Sequence, residues 1–71
     1  MGPMPEPFLK KTEKEMIGDV KLYMYTDKND YCYYRAVGPN GWSRHGCSSD
    51  GYSLFIDARR ICIRHNMRIQ E

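Results

Sequence analysis

Long apolar runs are missing from this 71-residue chain. No stretch approaches the roughly 18–20 consecutive apolar residues that a membrane-spanning helix needs. The opening MGPMPEPFLKKTEKE has no apolar centre of the kind a secretory leader carries. Cysteine occurs three times, at Cys32, Cys47 and Cys62, an odd number that closes no disulfide framework within one chain. Free thiols without a leader predict a reducing compartment, the cytoplasm of a cell or of an infected host. There is no glycine-rich loop ahead of a helix, no Cys-x-x-Cys on a turn, and the acids are dispersed rather than paired. These absences argue against phosphate-loop, zinc-ribbon and two-carboxylate chemistry. Length adds a further exclusion, because a chain this short buries only about 60% of its unfolded surface and has little room for a deep cleft. A second domain is excluded on the same ground.

Lysine is absent beyond residue 28, and arginine is absent before residue 35. The first thirty residues hold five Lys against six acids, a net charge of −1. The remainder holds six Arg against three acids, a net charge of +3. Arginine makes forked, stackable contacts that lysine cannot, so the second part has the character of a contact surface. The overall charge of +2 is too small for a strongly basic nucleic-acid binder.

Residues 1–18 are rich in Pro, Lys and Glu and show no sustained apolar period, so they are expected to form a flexible arm. From Val20 the pattern has period two: Val20, Leu22 and Met24 alternate with Lys21, Tyr23 and Tyr25, as in a half-buried strand. Asp27-Lys28-Asn29-Asp30 is turn chemistry, and Tyr31–Val37 follows as a second strand. Gly38-Pro39-Asn40-Gly41 is the strongest local signal, with Asn-Gly supplying the positive dihedrals of a tight hairpin turn. A third strand then runs from Trp42 to about Ser48. Past Ser48-Ser49-Asp50-Gly51, Ser53 is a candidate N-cap. From Leu54 the period becomes helical, with Leu54, Ala58, Ile61, Cys62, His65 and Ile69 on one stripe. The expected fold is α+β: a three-stranded antiparallel meander at about residues 19–48, packed by one C-terminal helix at about residues 53–66. It forms a single domain over residues 19–71.

From Tyr31 onward the chain resembles the small YegP-like family, in Tyr34-Arg35-Ala36, Asn40-Gly41, Ser49 with Tyr52, and Ala58. The resemblance implies a three-stranded sheet with one helix, occurring as tandem or paired units and therefore as a dimer here, and it implies no catalytic residue. The strand order, with the spacing of Tyr52 and Ala58, is also similar to the sheet-based DNA-binding domains of integrases and plant-type transcription factors. Those lay a sheet into the major groove.

Three groups of residues are candidates for function. On the sheet, Tyr31, Tyr33 and Arg35 should face away from the helix together with Tyr23 and Tyr25, and Trp42 and Arg44 should extend that face. An uncovered aromatic-plus-Arg surface has the composition of a protein-binding hot spot. It also suits stacking on bases, and cross-strand pairing alone would account for the same residues. On the helix, Ile56, Ile63 and Met67 lie opposite the core stripe, flanked by Arg59, Arg60 and Arg64, and form a second apolar face fit for a dimer or partner interface. The third group is His45, Cys47, Cys62 and His65. If all four point inward they have the composition of a tetrahedral zinc site, but buried Cys packs well for its own sake and a packed core is the expected outcome, with no metal or other cofactor. Cys47 with His45 on one strand has no third, orienting group for nucleophilic catalysis. The sequence therefore predicts a small non-enzymatic protein-interaction module, a regulator or inhibitor of the compact phage type that binds a larger host complex. A DNA- or RNA-binding domain using the sheet is the alternative.

Overall fold

The computed structural model describes residues 9–69. They form four strands and a helix: β1 (Leu9–Ile17), β2 (Val20–Asp27), β3 (Cys32–Val37), β4 (Ser43–Ser48) and α1 (Gly51–Ile69). The strands make one antiparallel sheet in the order β1-β2-β3-β4. α1 crosses one face of it, mainly over β2 and β3. No helix among the described residues is long and apolar enough to cross a membrane.

The expected three strands are corrected to four. Residues 9–17, expected within the arm, pair with β2 from Ile17 opposite Val20 to Thr12 opposite Tyr25. Gly18-Asp19 is the connecting two-residue turn. Gly18 has φ +60°, the left-handed value that the first position of a type II′ hairpin turn demands. The strand lacks an apolar alternation because its inward side chains, Lys11, Glu13, Glu15 and Ile17, lie at a corner that α1 covers only at one end. Lys11 and Glu13 accordingly stay exposed and pair with each other at 2.8 Å. Glu15 reaches α1, where it accepts from Arg59 Nε at 3.1 Å.

The period-two reading of β2 and β3 holds. Val20, Leu22, Met24, Cys32, Tyr34 and Ala36 are buried, and all but Cys32 meet Ala58 and Cys62 of α1 in the core. Leu54, Phe55, Ile61 and Ile69 pack around its margin. The helix is longer than expected at both ends. Its N-cap is Asp50 rather than Ser53: the Asp50 carboxylate accepts from the amide of Ser53 at 3.2 Å and its carbonyl from that of Leu54 at 3.1 Å. Asn66 does not end the helix. Its side-chain oxygen accepts from the amide of Asp19 at 3.0 Å, tying the last turns of α1 to the β1–β2 hairpin.

The β3–β4 connection decides which way β4 faces. A two-residue Asn40-Gly41 turn would set Pro39 opposite Trp42, and so Ala36 opposite His45. The structure instead has a three-residue turn, Pro39–Gly41, closed by the Gly38 amide donating to the Trp42 carbonyl at 2.8 Å. Asn40 and Gly41 both take positive φ, at 61° and 80°. The extra residue puts Ala36 opposite Arg44 and Arg35 opposite His45. A one-residue slip exchanges the two faces of a strand. Hence Arg44 lies on the helix side, and His45 and Cys47 lie on the open side.

Candidate functional site

The open face of the sheet carries the expected tyrosines, with changed neighbours. Tyr23 and Tyr25 lie parallel, with ring centroids 6.5 Å apart. Tyr31 and Tyr33 meet edge to face at 5.3 Å. Lys14 of β1 approaches the Tyr23 ring at 5.9 Å, and Arg35 stands opposite Tyr23 on β3. The rings cover one another, so Tyr25 is only 7% exposed and offers little surface to a partner. Burial raises its phenol above the ordinary range, against a small opposing pull from Arg35. Trp42 and Arg44, expected on this face, belong to the other side of the sheet. Cys47 and His45 replace them, and the Tyr31 hydroxyl donates to the exposed Cys47 sulfur at 3.7 Å.

Asp27 organises the β2–β3 end of this face. One carboxylate oxygen accepts from the amides of Asn29 and Tyr31 at 2.9 and 3.0 Å, and the other from the Tyr33 hydroxyl at 3.1 Å. Desolvation pushes the carboxyl up, but the Tyr31 and Asn29 amides and the Tyr33 hydroxyl together hold it below its usual value.

His45, Cys47, Cys62 and His65, expected inward together in a packed core, come apart. Cys62 is fully buried on the sheet-facing side of α1, Cys47 is exposed on the open face of the sheet, and His45 is exposed beside Arg35. Among the described residues no group of three or more His, Cys, Asp or Glu is placed to hold a metal. His65 instead stacks on Trp42, with centroids 3.8 Å apart and planes 7° from parallel. The pair is seated on Gly38, where a β-carbon would come within 3.0 Å of the indole and 3.2 Å of the imidazole. The Arg44 guanidinium lies over the same indole at 5.2 Å.

On α1 the second apolar face is present. Ile63 is 49% and Met67 63% exposed, while Ile56 is half-buried. Tyr52, at 79% exposed, extends the row toward the helix start. Arg59 is engaged by Glu15, whereas Arg60 and Arg64 are exposed beside the row. Arg68 was not among the expected site residues. It continues the Arg60, Arg64 series at steps of four, a spacing visible in the sequence, and lines a groove with Arg44 and Arg64.

Comparison with known proteins finds no matching family model, curated protein or solved structure.

Proposed function

We propose that this chain is a non-enzymatic protein-interaction module that docks through the outer face of α1 and regulates or inhibits a larger protein complex. The observation that carries this is the row Tyr52, Ile63 and Met67, exposed together on a helix whose opposite face already fills the core. A helix on a sheet needs only one buried face, and contiguous exposed apolar side chains mark interaction surfaces. Arg60, Arg64 and Arg68 run alongside, so the partner surface is apolar with acidic flanks. The same arginines disfavour a second copy, since an isologous pairing would bring like charges together across the axis. Support for the cytoplasm comes from the cysteines: one is exposed, two are buried, and all are free. The YegP-like resemblance bears on the fold alone, its three-stranded unit corresponding to β2–β4 with α1 and leaving β1 as an added edge; the pairing it implies is not part of this reading.

Nucleic-acid binding through the sheet is less well supported, because Tyr25 is buried and the other rings are engaged with one another. A titration with single- and double-stranded DNA and RNA at low salt separates the readings. The expected result is no saturable binding. Affinity that falls steeply with added salt would favour the nucleic-acid reading instead.

A further inference from the structure

The groove between the C-terminal half of α1 and the β3–β4 turn holds a charge arrangement that neither the fold nor the apolar face requires. Its walls are Trp42, Arg44, Ile61, Arg64, His65 and Arg68, around a space of about 190 Å3. Three arginine side chains thus line one small volume. Among the described residues none of the three is in an ion pair with an acid. Arg44 donates to the Ser43 carbonyl, at 2.9 Å, and lies over Trp42. Arg64 and Arg68 are one turn apart, a spacing at which like charges oppose helix formation. The helix dipole accounts for a cation in the last turn. It does not account for Arg44, which a different element brings to the same place. The Trp42–His65 stack, fixed against Gly38, gives the groove a rigid wall and so lowers the cost of ordering on binding.

We propose that this groove binds a phosphoryl group carried by a side chain of the protein partner. The inference rests on the protein-interaction reading for the kind of molecule that presents the group, and on the groove for its chemistry. A phosphate monoester carries nearly two charges and three acceptor oxygens, and it can take forked donors from several guanidinium groups at once. A carboxylate carries one charge and is satisfied by a single fork, leaving two of the three unmatched. A nucleobase has no free ring to stack on, since Trp42 is already stacked on His65 and overlaid by Arg44. Arg64 and Arg68 separate the groove from Ile63 and Met67 on the helix surface, so residues flanking the phosphorylated one fall over the exposed apolar row.

The test uses the full chain in two arms. In the first, inorganic phosphate is titrated while heteronuclear NMR follows the Trp42 indole N–H and the arginine Nε–H groups. Saturable shifts are expected at Trp42, Arg44, Arg64 and Arg68, and not at Arg59. In the second, a degenerate phosphoserine peptide pool and its unphosphorylated counterpart are passed over immobilised protein. The phosphorylated pool should be retained about tenfold more strongly, with Arg44→Gln or Arg64→Gln each removing about that factor. Arg64→Lys, which keeps charge but loses the fork, should restore only part of it. Unchanged urea midpoints confirm that these exposed positions leave the fold intact. Absent or uniformly spread phosphate shifts, or equal retention of the two pools, would overturn the proposal. So would a single-stranded oligonucleotide that displaces the phosphopeptides with a steep salt dependence. The two claims fail separately: retention of the phosphopeptide pool left unchanged by Ile63→Glu refutes the apolar face, and retention left unchanged by Arg64→Gln refutes the phosphoryl site.

Discussion

Gly18 shows how one residue can hold two elements in register. Its φ of +60° belongs to the left-handed region, and a β-carbon there would overlap the Asn66 side chain, the group that accepts from Asp19. Gly18→Ala should therefore cost about 1–2 kcal/mol for the dihedral alone, and more through the Asn66 overlap. The same change in an Asn66→Ala background should cost less, a coupling that urea denaturation of the four-variant cycle reads directly. Titration of buried groups gives a second expectation. Burial, and then the nearby Glu15 carboxylate, pushes the Cys62 thiol up, and burial is likewise the main cause for Tyr25 and Tyr34. In each case the folded protein favours the neutral form, so the folded pKa lies above the unfolded one. That stability is complete below the unfolded pKa values and is lost as pH rises through the folded ones. Urea midpoints should stay level through neutral pH and fall from near pH 9.0, the ordinary thiol value. Asp27 acts at the other end, with a lowered pKa: its contribution is present above about 3.8 and fades as pH falls through the folded value. Asp27→Asn should flatten that acid limb.

Among the elements, the N-cap of α1 gives a clean contrast. Asp50→Ala should destabilise the protein by about 0.5–2 kcal/mol, whereas Ser53→Ala, at an exposed position inside the first turn, should be close to neutral; thermal melts of the two variants decide it. β2, β3 and the core stripe of α1 were legible in the sequence because each has one fully covered face, and coverage imposes a period. β1 was not, since the corner it occupies is open and tolerates Lys11 and Glu13 on its inward side. The available signal was Gly18-Asp19, a two-residue hairpin turn between Ile17 and Val20, which outweighs the missing alternation. The direction of β4 turned on a single residue of loop length, and Asn40-Gly41 suits both a two- and a three-residue turn. That ambiguity placed Trp42 and Arg44 on the wrong face and brought His45 and Cys47 toward Cys62. Deleting the chain through Ile17 tests the weight of β1. The loss of strand pairing, the Ile17 contact and the Arg59–Glu15 bond should abolish cooperative unfolding rather than trim a dispensable arm.

At the scale of the whole molecule, two surfaces stay uncommitted after the core is filled: the tyrosine face of the sheet and the outer side of α1. The first is largely self-satisfied, its rings packed on one another and the Tyr33 and Tyr31 hydroxyls donating to Asp27 and Cys47. The second has no partner for Tyr52, Ile63 or Met67 among the described residues, and arginines border it. For the same reason the chain should sediment as a monomer at high micromolar concentration, and Ile63→Glu should leave that behaviour unchanged. The candidate site was legible in part: the helix face could be read from phase, while the Arg44, Arg64, Arg68 groove depended on the β4 register and could not. The most direct test of the docking surface is photo-cross-linking in the native cell from a reactive side chain placed at position 63, with position 23 on the sheet as the comparison. The expected result is one discrete protein adduct from position 63, lost in Met67→Glu, and none from position 23. An adduct to nucleic acid, or a protein adduct from position 23 with none from position 63, would contradict the assignment of α1 as the binding surface.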